Sequence, residues 1–341
     1  MKIELDPKRY ERCLITIDSH TMGEATRIIV EGVPRLEGKT MMEKKLSFKN
    51  SFDHLRTALM LEPRGHSNMF GALLTEPAGS GADIGVIFMD TGGYLNMCGH
   101  GIMGVAVAAL EVGIVKAEPP LTTIRLDTPA GIIKTKVSVE NGRAKEVNVY
   151  TVPSFLYKEG VKLSLPEYGE IKLNIAFGGS FFALVNSIDL GLCIRKEYIG
   201  RFVELGMKIL RATNEAVDVK HPLLPINTVD LVEFYETEAD SAFQKNIVVF
   251  GDGQFDRSPC GTGTAARIAE LYTKGRIPLG EEITNESITG ATFRGAAVRE
   301  TFIGEFQGII PRITGQAYIT GINRWLLDRD DPLKYGFLIH A

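Results

Sequence analysis

The sequence predicts an α/β protein built from two similar lobes, because one uncommon stretch occurs twice. The first copy reads FMD at residues 88–90 and NMCGHG at 96–101, and the second reads FGD at 250–252 and SPCGTG at 258–263. When the cysteines are aligned, Phe lies ten residues before each and Asp eight before. Glycines follow one, three and fifteen residues after each cysteine. A duplicated unit predicts two lobes of the same construction.

Each copy predicts a strand, a glycine-containing loop, a cysteine and then a helix. An apolar run precedes each copy, at 86–88 and 247–250, and residues rich in Ala, Ile, Val and Leu follow. Gly113 and Gly275 stand where a helix of this length would end, which is typical of a glycine C-cap. Each lobe should therefore present one sulfur from the N-terminus of a helix.

The remaining elements follow from apolar periodicity and turn residues. Asn141 and Gly142 predict a tight hairpin turn, and DSHTMGE at 18–24 and EPRGH at 62–66 predict polar loops. We assign residues 1–127 with about 306–341 to the N-terminal lobe, which carries Cys98, and 128–305 to the C-terminal lobe, which carries Cys260. The predicted strands are 13–17, 26–30, 69–74, 132–139, 146–152, 171–176, 181–185, 228–235, 247–250, 308–313 and 317–322, and the predicted helices are 53–61, 101–111, 196–214 and 263–274.

Composition excludes several classes of protein. A chain of 341 residues, 44% hydrophobic and 23% charged, is typical of a soluble enzyme of two domains. The net charge of −4 gives no basic surface for nucleic acid. No signal peptide and no apolar run of membrane-spanning length is present in the sequence. Four cysteines are too few for a disulfide scaffold, so we expect a cytoplasmic protein with reduced thiols.

The duplicated cysteines predict a specific chemistry. A helix N-terminus stabilises a thiolate, and the glycines beside it let an anion approach the backbone N–H groups. Two such sites facing each other could hold one carboxylate with a sulfur on either side. That arrangement suits removal of a proton from one face of a carbon and delivery of a proton to the other, as in amino-acid racemisation.

Other sites are less well supported by the residues. Cys13 and Cys193 lack the glycine context and are expected to be inert. Asp18, His20, His66 and His100 could form a metal cluster, but no C-x-x-C or H-x-x-x-H spacing is present, so we predict no metal. The CGHG stretch also lacks the spacing of a nucleotide-binding loop.

The motifs together resemble those of the proline racemase family. They are DSHTMGE (18–24), EPRGH (62–66), GYLNMCGHG (93–101), GGSFF (178–182), DRSPCGTGT (256–264) and DPLKYG (331–336). The resemblance implies a diaminopimelate-epimerase-like fold of two pseudo-symmetric α/β lobes. Each lobe would be a curved mixed sheet around a central helix, with the active site in the cleft between lobes. It also implies a homodimer that needs no cofactor.

The resemblance also assigns the site residues. Cys98 and Cys260 match the two catalytic thiols, and Asp256 matches the group that holds the substrate amine. Phe70 matches a position that is aromatic in proline racemases. Phe250 is close to Asp256 in the sequence and could form an apolar wall, although phenylalanines at such positions are more often part of the core. The positions expected around the substrate carboxylate and nitrogen are Gly99, His100, Gly101, Gly261 and Thr262.

Three functions remain open from the sequence. The first is proline racemase, which Phe70 favours because epimerases of this family tend to have a polar residue, often His, at that position. The second is 4-hydroxyproline 2-epimerase, which has both cysteines, whereas family members that dehydrate 3-hydroxyproline have Thr at one of them. The third is a non-catalytic amino-acid-binding protein. If the two sulfurs face each other, oxidation could join them and inactivate the enzyme.

Overall fold

The structure is a computed structural model that describes residues 6–237 and 242–339. Its described residues divide into two compact units. The first unit contains residues 6–21, 25–145 and 317–339, and the second contains 22–24, 146–237 and 242–316. The chain passes from one unit to the other at 145/146 and 316/317. The lobe boundaries predicted from the sequence were 127/128 and about 305/306. The assignment of these lobes as domains stays a prediction.

The first unit combines a mixed sheet with two helices. The elements are β1 (Tyr10–Thr21), β2 (Glu24–Glu31), α1 (Met41–Met60), β3 (Phe70–Thr75), β4 (Ile84–Asp90), β5 (Tyr94–Leu95), α2 (Gly99–Glu111), β6 (Leu121–Thr128), β7 (Gly131–Glu140) and β18 (Ala317–Asp328). Strand β1 pairs antiparallel with β18, β2 runs parallel to β3, and β4 pairs antiparallel with β3 and β5 and parallel with β6. Helix α2 packs against β1, β18 and β3.

The second unit has the same plan. The elements are β8 (Arg143–Tyr150), which begins in the first unit, β9 (Ser154–Leu165), β10 (Gly169–Phe177), β11 (Phe181–Asn186), α3 (Ile199–Ala216), β12 (Val229–Glu236), β13 (Phe243–Phe250), β14 (Gln254–Phe255), α4 (Gly261–Thr273), β15 (Glu282–Ser287), β16 (Thr292–Ile303) and β17 (Phe306–Gly315). Helix α4 packs against β17, β9 and β16, and the large apolar core lies around Phe155, Phe181, Phe202 and Phe234.

The two units repeat one order of strand pairing, which confirms the pseudo-symmetric α/β fold. In the first, β2 is parallel to β3, β3 antiparallel to β4, β4 parallel to β6, and β6 antiparallel to β7. In the second, β11, β12, β13, β15 and β16 pair in the same sequence of directions. A helix follows the equivalent strand each time: α1 or α3 comes between the parallel strands, and α2 or α4 follows the cysteine.

The two motif helices form as the repeat predicts. Helix α2 is buried from Gly99 to Leu110, consistent with its Ala, Val and Gly content. Gly113 and Gly275 have φ of 79° and 65°, so each glycine ends its helix in the left-handed conformation. Asn141 and Gly142 also have positive φ, at 53° and 75°, as the hairpin turn requires.

The polar motif at 18–24 is strand rather than loop, and that expectation was wrong. Strand β1 continues to Thr21, because its backbone pairs with β18 up to Ala317. Only Met22 and Gly23 form the turn before β2, with φ of 47° and 104°. The polar side chains Ser19 and Thr21 are buried and donate hydrogen bonds to backbone carbonyls.

Helix α1 begins twelve residues before the prediction placed it, at Met41 instead of 53. Thr40 is its N-cap: the hydroxyl accepts a hydrogen bond from the Glu43 N–H at 3.1 Å, and the Glu43 carboxylate accepts one from Lys39 N–H at 2.6 Å. This variant of a capping box starts the helix, although its first turns are too charged to show apolar periodicity.

The tail divides between the units. Strand β17 pairs with β16 after a turn at Gly304, which has φ of 59°, and it stays in the second unit. Strand β18 returns to β1 of the first unit. In the part of the chain that the structure describes, no helix is long and apolar enough to span a membrane.

Two glycines offer a matched test of this packing. A Cβ on buried Gly178 would lie 2.1 Å from the Thr262 carbonyl oxygen and 2.6 Å from the Ala266 nitrogen, so Gly178→Ala should destabilise the protein by about 2 kcal/mol or more. Gly200, in the first turn of α3, has open space around it, so Gly200→Ala should stabilise by roughly 0.5–1 kcal/mol. Urea unfolding measures both; equal effects would contradict the close approach of Gly178 to α4.

Candidate active site

In the first unit, Cys98 lies at the start of a buried helix. It is the N-cap of α2, with extended backbone at φ −149° and ψ 125°, and its carbonyl accepts the first helical bond from Ile102 N–H at 3.0 Å. Its side chain is half-buried. The Cys98 Sγ atom lies 3.1 Å from His100 Nδ1, a distance at which the two can share a proton.

His100 is held by contacts on both its backbone and its ring. Its carbonyl accepts a hydrogen bond from Thr21 Oγ1 at 2.8 Å, which ties the start of α2 to the end of β1. Its ring stacks edge-on against Phe70, with ring centroids 4.4 Å apart. The imidazole is therefore fixed between an aromatic wall and the Cys98 sulfur.

Gly101 is required by this aromatic packing. A Cβ at this position would lie 2.7 Å from Phe88 and 2.9 Å from Phe70. Phe70 and Phe88 are both buried, and their ring centroids are 6.0 Å apart. The second glycine of the repeat thus lets the helix start approach the two rings.

In the second unit, Cys260 is the N-cap of α4, but its geometry differs from that of Cys98. It is buried, and its φ of 58° is in the left-handed region that non-glycine residues rarely adopt. Its N–H donates to Ser258 Oγ at 3.1 Å. Its Sγ accepts a hydrogen bond from Gly263 N–H at 3.4 Å and lies 3.6 Å from Thr262 Oγ1.

At Cys260, burial and nearby negative charge oppose the effect of the helix N-terminus on the pKa of the thiol. Burial raises the pKa of the Cys260 thiol well above its usual value, and the negative charges of Asp256 and Glu233 raise it further. The bonds from Gly263 and Thr262 lower the pKa, but by less. The expectation that the helix N-terminus would favour a thiolate is thus overridden here, and Cys260 holds its proton at neutral pH.

Asp256 and Phe250 lie in the same region of the second unit. Asp256 is buried, and its Oδ1 accepts a hydrogen bond from Ser258 N–H at 2.8 Å, which orients the carboxyl within the loop before Cys260. Phe250 is half-buried and packs against the small apolar cluster that contains Cys260.

Two carboxyl groups that the sequence analysis did not select also lie here. Glu24 reaches the Asp256 loop, where its Oε2 accepts a hydrogen bond from Arg257 N–H at 2.7 Å. Glu233, on β12, is completely buried, and its Oε1 accepts from Asn246 Nδ2 at 2.9 Å. A Cβ on Gly263 would lie 2.6 Å from Glu233 Oε2, so this carboxyl lies directly behind the Cys260 turn. A charged residue between Val232 and Phe234 in a buried strand is the signal that could have identified it.

The predicted site residues therefore form one group in each unit. The first group is Cys98, Gly99, His100, Gly101 and Phe70, and the second is Asp256, Cys260, Gly261, Thr262 and Phe250. Of the candidate metal ligands, Asp18 instead forms an ion pair with Arg27 at 2.9 Å. No group of three or more His, Cys, Asp or Glu side chains within residues 6–237 and 242–339 could hold a metal ion. Each group offers a thiol beside a helix start, where first-turn N–H groups can bind an anion.

Comparison with known proteins gives one family. The family described as Proline racemase matches residues 16–338. Proline racemase of Clostridioides difficile is 51% identical over 97% of this chain and 99% of its own length. 4-Hydroxyproline 2-epimerase of Streptosporangium roseum is 41% identical over 97% of this chain and 100% of its own. A crystal structure of a hydroxyproline epimerase from Agrobacterium vitis with bound trans-4-hydroxy-L-proline has a TM-score of 0.89 at 32% identity and covers 97% of both chains.

The buried carboxyl behind Cys260 makes a testable contribution to stability. Burial raises the pKa of Glu233 to about 7 from 4.5. Because the folded state binds this proton more tightly than the unfolded state, the proton stabilises the fold. This contribution is fully present below pH about 4.5 and is lost as the pH rises through 7. We expect the free energy of unfolding to fall with pH over this range, and Glu233→Gln to reduce the slope by up to roughly 1.4 kcal/mol per pH unit.

Urea unfolding at several values between pH 5 and pH 8 measures this slope. Glu197→Gln, at an exposed glutamate, is the control and should keep the wild-type slope. An unchanged slope in Glu233→Gln would mean that Glu233 is already ionised in the folded protein.

Proposed function

Because this chain belongs to the proline racemase family, we propose that it interconverts L- and D-proline, with Cys98 and Cys260 as the two bases. As an enzyme it is an isomerase, an amino-acid racemase or epimerase. The observation that carries the two-base proposal is the equivalence of the two cysteines. Each is the N-cap of the helix that follows the same strand of the repeated pairing order.

The proposed reaction moves one proton off the substrate and a different one onto it. In one direction the Cys98 thiolate removes the Cα proton, and the Cys260 thiol delivers its proton to the opposite face. The high pKa of Cys260 suits the role of donor. His100, 3.1 Å from the Cys98 sulfur, can accept the proton of Cys98 and so generate the thiolate. The reverse direction exchanges the roles of the two sulfurs.

The weak acidity of the Cα proton requires that the carbanion be stabilised. We assign this to backbone N–H groups at the helix starts, at Gly99, His100, Gly101, Gly261 and Thr262, acting on the substrate carboxylate. Asp256 accepts a hydrogen bond from the substrate ammonium, which keeps the nitrogen cationic and adjacent to the forming carbanion. These groups supply the electrostatic stabilisation without a cofactor.

Proline rather than a hydroxylated ring is supported by the apolar walls. Phe70 is buried against His100 and Phe88, and Phe250 packs in the Cys260 cluster. Because a phenylalanine side chain has no polar atom, neither residue can hydrogen-bond a ring hydroxyl. The 51% identity to a proline racemase supports the same substrate.

The second candidate is 4-hydroxyproline 2-epimerase. It is favoured by the likeness to a hydroxyproline epimerase that holds trans-4-hydroxy-L-proline, with a TM-score of 0.89. The same two-thiol chemistry would serve, and the proposal for proline over hydroxyproline depends on the apolar walls at Phe70 and Phe250. We also propose that the protein is a homodimer in the cytoplasm.

The cysteine roles predict loss of activity in both directions when either sulfur is replaced. Cys98→Ser and Cys260→Ser should each reduce racemisation of L- and D-proline by roughly 10²-fold or more, because a hydroxyl is a far poorer acid and base. Cys13→Ser and Cys193→Ser, at exposed thiols, are the matched controls and should retain activity. Polarimetry measures all four, and a Cys98 or Cys260 variant with near wild-type turnover would refute the two-base mechanism.

The Phe70 wall predicts a change of substrate preference. Phe70→His places a hydrogen-bonding ring where the aromatic wall stands. The ratio of kcat/KM for trans-4-hydroxy-L-proline to that for L-proline should then rise by about tenfold or more. Phe70→Leu removes the ring without adding a polar group, so it should lower proline turnover and leave the ratio low. If both variants change the ratio equally, Phe70 does not select the substrate.

A further inference from the structure

The turn between β1 and β2 carries one side chain of the DSHTMGE motif into the second unit. Met22 and Gly23 both have positive φ, and Gly23 lies against Thr289 and the Arg257 carbonyl. The next residue, Glu24, is only 4% exposed. Residues 22–24 belong by their contacts to the second unit, although the strands on either side lie mostly in the first. The turn therefore serves to bring Glu24 to the loop before Cys260.

Glu24 and Asp256 form a pair of buried carboxyl groups. Glu24 accepts a hydrogen bond from the backbone N–H of the residue directly after Asp256, and Asp256 is 6% exposed, so the two carboxyl groups are close neighbours in the interior of the second unit. Ionised carboxylates have acceptors only, so a hydrogen bond between two carboxyl groups needs one proton. Each also accepts one backbone N–H: Glu24 from Arg257 at 2.7 Å and Asp256 from Ser258 at 2.8 Å. The loop before Cys260 therefore orients both carboxyl groups, and a direct hydrogen bond between them would hold one proton and leave the pair with one negative charge.

We propose that Glu24 is a positioning residue: as a neutral carboxylic acid it donates a hydrogen bond to Asp256 and fixes the carboxylate that receives the substrate ammonium. The role toward the ammonium rests on the function proposed above, whereas the shared proton does not. The pair keeps its charge at −1, which matches a single cationic nitrogen. Without the proton, two buried like charges would repel each other and Asp256 would lose its orientation.

The pair also defines a pH limit. Burial and the neighbouring Asp256 raise the pKa of Glu24 to about 8, while Arg257, through its backbone N–H and its charge, lowers it. These are the charged groups that act on Glu24, and the charge of Asp256 acts in turn on the Cys260 thiol. Below pH about 8 the shared proton is present. As the pH rises through 8, Glu24 ionises and the hydrogen bond to Asp256 is lost.

The experiment compares kcat and KM for L-proline, over pH 6–10, in the wild type and three variants. The amide of Glu24→Gln can donate to Asp256 and accept from Arg257, so this variant should keep its neutral-pH activity within about threefold. Glu24→Ala removes both bonds and should raise KM by roughly tenfold, with a smaller change in kcat. Glu31→Gln, at the exposed far end of β2, is the matched control and should behave as wild type.

The alkaline limb of the kcat/KM profile distinguishes a positioning role of Glu24 from a merely structural one. The wild type should lose kcat/KM above pH about 8 through a group that Glu24→Gln lacks, so its profile should extend to higher pH than that of the wild type. The difference between the two enzymes on the same substrate cancels ionisation of the substrate itself. Identical alkaline limbs, or a Glu24→Ala variant with the KM of the wild type, would overturn the proposal.

An infrared difference spectrum tests the carboxyl pair without any turnover. Wild type minus Glu24→Gln at pH 7 should show the band of a protonated carboxylic acid, and the band should disappear as the pH is raised through about 8. If the wild type does not racemise proline but the band is present, the proposed function fails and the carboxyl pair stands. If the wild type racemises proline and the band is missing, the positioning role fails alone.

Discussion

The buried start of a helix is the constraint on which each unit depends. Helix α2 is apolar and buried along nearly its whole length, so it can contribute to chemistry only through its first turn. There the backbone N–H groups have no carbonyl one turn earlier to receive them, and something anionic or a side chain must satisfy them. In α4 the Cys260 sulfur takes one of these donors, from Gly263. A substrate carboxylate would satisfy others. The glycines of the motif follow from the same constraint, since Gly101 and Gly263 leave no room for a Cβ.

The two cysteines occupy equivalent backbone positions in the two copies of the motif but have different charged neighbours. Cys98 has an imidazole beside its sulfur, in His100, which can accept a proton. Cys260 has acidic neighbours, Asp256 and Glu233, and a buried side chain that holds its proton. In the proposed mechanism, the imidazole beside Cys98 and the acidic groups beside Cys260 favour the state in which Cys98 is the thiolate and Cys260 the thiol. This state serves the direction in which Cys98 removes the Cα proton, and the reverse direction starts from the state with the two protonation states exchanged.

Sequence predicted what depends on neighbours in the chain and missed what depends on distant ones. The strand, loop, cysteine and helix of each copy were predicted, because glycine spacing and apolar runs are local signals. The continuation of β1 to Thr21 was not, because its partner β18 lies about 300 residues later. Glu24 was visible only as one letter of a polar motif, since its carboxyl partner is Asp256. Glu233 would have been found had a charge inside an apolar strand been treated as a signal.

Isotope exchange in the wild-type enzyme tests most directly whether two different groups remove and deliver the Cα proton, as we propose. L-Proline is incubated in D₂O, and the Cα deuterium content of the separated L and D isomers is followed by NMR before equilibrium. With two bases, the D-proline formed carries deuterium at Cα, while the remaining L-proline keeps its protium. Deuterium appearing in L-proline as fast as D-proline forms, or D-proline that retains the original proton, would contradict the two-base mechanism.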